Sequence, residues 1–140
     1  SFSMTGQRRD LNREKFKSEK LEAVFKNPES NANKNLRYLR HAMDVRSQLP
    51  QFHPQSQMEC LSKNRADIVV IKRGIGSKAV FIIHNMTENK INYRFIDYEF
   101  NKLIKNDLNM QDYLTSNKYN SNNIELDPFQ VIWLGFLIDD

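Results

Sequence analysis

Residues 67–83 read DIVVIKRGIGSKAVFII, two apolar runs flanking a glycine-bearing loop. The runs 67–72 and 79–83 are rich in branched and aromatic side chains, which fit a pleated, half-buried surface. Between them, Arg73-Gly74-Ile75-Gly76-Ser77 predicts a hairpin, because glycine supplies the positive φ that a tight reversal needs. These glycines are a turn and not a phosphate cradle, since no full GxGxxG or Walker pattern surrounds them.

Working outward, residues 91–96 (INYRFI) alternate apolar and polar side chains, the period of a half-buried strand. Residues 129–136 (FQVIWLGF) form a further candidate strand, entered through an Asp127-Pro128 turn, and residues 58–61 another. In 129–136 Trp133 alternates with Phe129 and Val131, a pattern expected of the core. Sugar stacking on an exposed Trp133 is the competing reading. Weaker segments lie around Leu103–Ile104, Leu108, Tyr113–Leu114 and residues 124–126. Asn/Ser-rich loops such as 116–123 separate them. Strands at this density predict an antiparallel Greek-key β-sandwich over residues 51–140.

The first third differs in kind. A helix is expected over 18–26, with Leu21, Val24 and Phe25 on one side. Asn27-Pro28 interrupts it, or else Asn27 caps a next helix that begins at Pro28. A longer helix is expected over roughly 33–48: Leu36, Leu39, Met43, Arg46/Val45 and Leu49 recur at helical spacing, while Lys34, Arg37, Arg40 and Asp44 fall largely elsewhere. Pro50 and Pro54 end helical structure. No internal repeat is present.

The net charge of +4 is uneven: residues 1–50 carry 11 Lys/Arg against 6 Asp/Glu, and residues 51–140 carry 10 against 11. The bases of the first third are interleaved with acids, as on a solvated helix face, so a nucleic-acid partner is not expected. No apolar run is long enough to span a bilayer, and residues 1–10 lack an apolar signal core, so no membrane partner is expected. The single cysteine, Cys60, excludes an internal disulfide framework and fits a reducing cytoplasm; a small buried or half-buried side chain in a strand is expected there, with a reactive thiol as the competing reading.

Catalytic chemistry is hard to place. His41, His53 and His84 share no ligand spacing with Cys60, so no metal site is expected. His84 reads as a structural histidine, and His53 orients a Phe-His-Pro turn. Glycoside cleavage needs two carboxylates across a bond, and nothing selects a pair among Glu19, Glu22, Glu29, Asp139 and Asp140. Asn85-Met86-Thr87 matches a glycosylation sequon but reads as a strand-end turn. One cluster is different: Arg8, Arg9 and Arg13 with Asp10 and Asn12 bring several planar donors together, and guanidinium suits phosphate or carboxylate. A solvated basic loop is the plainer reading of the same residues.

Four motifs in order resemble a known family. Residues 5–13, TGQRRDLNR, resemble the TGxGRDINR stretch of sucrose phosphorylases and their relatives in glycoside hydrolase family 13 of the α-amylase superfamily. Residues 45–54, VRSQLPQFHP, resemble that family's VRxxHPAFHP, with the apolar helix LRYLRHAMDVR leading into it. Residues 82–87, IIHNMT, and 126–134, LDPFQVIWL, resemble its later strand-turn and terminal strand motifs. The FHP form is more similar to the sucrose-6-phosphate, glucosylglycerol and glucosylglycerate phosphorylase side of the group.

The resemblance implies an α+β fragment: the last helices of a (β/α)₈ barrel over residues 1–50, then a carboxy-terminal β-sandwich over 51–140. It implies an accessory domain of a glucosyl-transferring phosphorylase that packs against a barrel bearing the three catalytic carboxylates. The chain itself would hold no catalytic residue and be inactive alone. No cofactor or metal is implied; inorganic phosphate would be co-substrate of the parent, beside an α-glucoside. Arg9 matches the arginine of GRD, at the acceptor or phosphate side of the site, and active sites of this barrel sit on such loops. Arg8 stands where the family has glycine, which either strengthens an anion site or displaces the loop. Gln51 and Phe129 replace an alanine and a tyrosine. Other readings are an independent carbohydrate-binding module, a piece of an α-glucosidase or amylase-type hydrolase, and an inactive remnant. A domain fragment should leave the Leu36/Leu39/Met43 stripe and one sheet face without a partner, and should self-associate.

Overall fold

The computed structural model describes residues 17–95 and 108–137. Two compact units divide the chain, Ser1–His41 and Ala42–Asp140. Among the described residues are two helices and two antiparallel sheets, one of six strands and one of two.

Helix α1 is Ser18–Lys26 and helix α2 is Asn31–Gln48. Neither buries a residue fully, and Phe25, Leu39 and Met43 are 47%, 58% and 60% exposed. The turn between the helices departs from expectation. Ser30, not Asn27, caps α2: its carbonyl accepts the Lys34 N–H and its Oγ accepts the Asn33 N–H at 3.2 Å. The same hydroxyl donates to the Val24 carbonyl at 2.8 Å, and Asn33 Nδ2 donates to the carbonyls of Phe25 and Asn27. Pro28 lies in the turn, its carbonyl taking an Arg37 hydrogen bond, because Asn27 Oδ1 bends the chain by accepting the Glu29 N–H.

The strands are β1 Met58–Cys60, β2 Ile68–Arg73, β3 Val80–Asn85, β4 Ile91–Tyr93, β5 Asn109–Asp112, β6 Lys118–Asn120, β7 Ile124–Leu126 and β8 Val131–Phe136. The large sheet runs β1-β2-β3-β8-β5-β6, and β4 pairs with β7 in the small one. The chain thus leaves the large sheet after β3, returns as β5 and β6, and places β8 between β3 and β5. The 67–83 hairpin forms as read, with Gly74 at φ +82° and Gly76 at φ +60° inside the reversal.

Register sorts the side chains. Val70 faces Ile83, Phe81 faces Leu134 and Ile83 faces Ile132 across neighbouring strands. Together with Ile68 and Met110 they form the inner face, on which Ile124 and Leu126 of the small sheet pack. All of these are fully buried, each contributing about 1.5–3 kcal/mol of transfer free energy. Phe81 meets Phe95 and Phe136 edge-on, with centroids 4.7 and 5.6 Å apart. The result is sandwich-like: two antiparallel layers around one apolar core.

Three expectations change. The core side of β8 is Ile132 and Leu134, so Val131 and Trp133 point outward and Phe129 is 62% exposed in the preceding turn. The alternation was real, but its phase follows pairing with β3, which sequence alone does not fix. Residues 118–120 form edge strand β6 within the stretch read as a loop, held by Tyr119 on the core. Tyr113 and Leu114 lie in the turn after β5. Ile96, Leu103 and Ile104 lie outside the described residues.

Candidate functional site

Arg9, and with it Arg8, Asp10, Asn12 and Arg13, lies outside the described residues. The other three motifs are described, and they converge on the large sheet. The 45–54 motif ends α2 and closes into a 3₁₀ turn, Pro50–Phe52. The Pro50 carbonyl accepts the His53 N–H and the Ser56 hydroxyl, both at 3.0 Å, which curls the segment onto the sheet. Phe52 then rests on Trp133 at 4.7 Å between ring centroids, joining residues from the second and fourth motifs.

Arg73, at the end of β2, holds this contact. Its Nε donates to the Gln51 carbonyl and its Nη2 to the His53 carbonyl, both at 2.8 Å, and its guanidinium lies 6.0 Å from the Phe52 ring centre. Gln51 Nε2 donates to the Lys78 carbonyl at 2.7 Å, and its Oε1 is buried without a protein partner. Beside the turn opens a cleft of about 360 Å³, walled by Met43, Leu49 and Phe52 with Arg46 and His53 at its rim. Sequence reading gave Arg73 no role; its only signal was a position at a hairpin end.

The third and fourth motifs meet at Asn85. This residue is fully buried, and its Nδ2 donates to the carbonyls of Asn89 and Asp127 at 2.7 and 2.8 Å. Its Oδ1 accepts both the N–H and the hydroxyl of Thr87 at 2.9 Å. The strand-end turn expected there is formed. An amide sealed and consumed in this way cannot accept a glycan.

Three carboxylates, Asp112, Asp67 and Asp127, are likewise occupied. Asp112 is fully buried: Oδ1 accepts the Trp133 and Leu114 N–H groups at 2.8 and 3.1 Å, and Oδ2 accepts the Thr115 hydroxyl at 2.6 Å. It completes the backbone hydrogen bonding of β8. Arg65 pairs with Asp67 and holds that carboxyl below its ordinary range, chiefly through their hydrogen bond. Lys90 pairs with Asp127 at 2.9 Å, which raises the ammonium. His41, His53 and His84 fall on α2, after the 3₁₀ turn and on β3. Among the described residues no three His, Cys, Asp or Glu side chains are grouped to hold a metal ion. Cys60 is exposed on edge strand β1, more open than expected, because only β2 flanks it.

No protein-family model matches the chain. It is similar to Glucosylglycerate phosphorylase of Allomeiothermus silvanus, 37% identical over 87 residues. That span covers 62% of this chain and 15% of that protein's length. The chain is a distant homologue of a glycoside phosphorylase, which supports a relationship to glycoside hydrolase family 13 in general.

Proposed function

We propose that residues 1–140 are the carboxy-terminal part of a glucosyl-transferring glycoside phosphorylase, with residues 1–50 ending a catalytic barrel and 51–140 forming its accessory sandwich. The observation that carries this reading is the 37% identity over 87 residues to a phosphorylase of much greater length. The convergence of Phe52 with Trp133, and of Asn85 with Asp127, gives the ordered motifs a structural reason to occur together. Asp67, Asp112 and Asp127, the carboxylates described above in the sandwich, are each engaged in a hydrogen bond or ion pair. That fits a domain whose work is packing and whose parent holds the catalytic carboxylates elsewhere.

Within this reading the parent cleaves an α-glucoside with inorganic phosphate by retaining double displacement, in the cytoplasm. Arg9 steadies the phosphate or the leaving acceptor. A sugar-binding module draws less support, because Phe52 covers part of Trp133.

The test is expression of the whole reading frame and assay with α-glucosides, with and without phosphate. Phosphate-dependent release of glucose 1-phosphate is expected. Release of free glucose regardless of phosphate would instead make the parent a hydrolase. Arg9→Ala should raise the KM for phosphate more than it lowers kcat.

A further inference from the structure

The cleft beside the 3₁₀ turn has a wall and a rim of different chemistry. Every residue lining it belongs to the unit that begins at Ala42. Met43, Leu49 and Phe52 give an apolar wall, and Arg46 and His53 are its ionisable groups. Among the described residues no carboxylate lines it. Its volume of about 360 Å³ falls at the small end of the range of small-molecule sites.

The wall is held in place without a ligand. Phe52 lies against Trp133, and the carbonyls on either side of it, those of Gln51 and His53, accept from Arg73. The polar groups of the rim are set as donors. His53 Nδ1 accepts the Gln55 N–H at 3.3 Å, so in the neutral ring the proton is on Nε2, which is also a donor in the charged ring. Arg46 makes no ion pair among the described residues. Nor is it spent on capping the last turn of α2. Its own carbonyl accepts the Leu49 N–H at 3.3 Å, and the Asp44 carbonyl accepts the Ser47 hydroxyl at 2.7 Å. Two donors thus share the cleft with apolar side chains and have no acid there to meet them.

We propose that this cleft is a binding site for a small carboxylate with a flat apolar body, its oxygens on Arg46 and the His53 imidazole and its body against Phe52 and Met43. A guanidinium meets both oxygens of a carboxylate in one plane, which favours that ion over a neutral compound of the same shape. An apolar body is needed as well, because bare phosphate or sulfate would leave Met43, Leu49 and Phe52 uncovered. The site does not depend on the reaction proposed above: a glucosyl phosphorylase and a glucosyl hydrolase would carry the same cleft.

Fluorine NMR on the full-length polypeptide tests it, with para-fluorobenzoate as the probe and para-fluorobenzamide as its neutral counterpart. Saturable broadening of the benzoate resonance is expected, with an affinity about ten-fold or more above that of the amide. Arg46→Gln should remove that preference. Met43→Glu, which sets a carboxylate of the chain's own against the cleft, should do the same and serves alone if the first variant fails to fold. Arg40→Gln, on the same helix but not among the lining residues, should preserve it. Equal binding of the two probes, no saturable binding of the benzoate, or a preference that survives both cleft variants would overturn the site. Binding by residues 1–140 but not by the full-length polypeptide would also overturn it, because the rest of the polypeptide would then fill the cleft.

Discussion

Asn85 spends both polar atoms of its side chain on the backbone and side chains of one corner, where the 85–89 turn meets Asp127. Replacing it by alanine leaves two carbonyls and an N–H short of partners in a site closed to water, at a cost of about 3 kcal/mol or more. Urea unfolding of Asn85→Ala would measure it, and a midpoint unchanged from the parent would contradict the account. Tyr93 offers a pH-dependent counterpart. Burial raises its phenol above the ordinary value near 10. As pH rises, the unfolded chain loses this proton first, so between the two values the folded form binds more protons and stability falls. The contribution is intact below about pH 10 and lost above it. Tyr93→Phe should therefore flatten the alkaline fall of Tm, and an unchanged alkaline limb would contradict the account.

At the scale of elements, the strongest strands were readable because their apolar runs are long enough to fix type and approximate bounds. The β2–β3 hairpin and β8 lie within two residues of their expected limits. Short strands were not readable in this way. Lys118-Tyr119-Asn120 has one apolar side chain and poor strand formers, and it exists because β5 offers a free edge. The phase of β8 was hidden for a related reason: period two gives alternation but not which set faces inward. Of the candidate site, the FHP turn and the terminal strand were visible as motifs, but their contact depends on Arg73, which no local pattern marks. Arg73→Met keeps bulk and removes the donors. Amide exchange at Phe52 and His53 should then quicken while Ile83 stays protected; equal exchange in both proteins would remove the staple.

At the scale of the whole molecule, exposed apolar side chains recur among the described residues. Of the Leu36/Leu39/Met43 stripe, Leu39 and Met43 are exposed and Leu36 is half-buried; on the large sheet Met58 and Val131 are exposed, while Ile71, Ile82 and Trp133 are half-buried and Val80 is buried. The isolated chain should bind a hydrophobic dye and sediment with a concentration-dependent mass. A strict monomer that leaves the dye dark would count against the fragment reading. The order of strands has a further consequence, one of timing. Strand β8 stands between β3 and β5, yet the ribosome makes it after all the other described strands. Until residues 131–136 emerge, the nascent chain holds two separate ribbons, β1-β2-β3 and β5-β6, each with an open hydrogen-bonding edge. A stop codon before Val131 would therefore remove the seam of the sheet rather than trim its border, and would leave unpaired the edges of β3 and β5 that β8 otherwise covers.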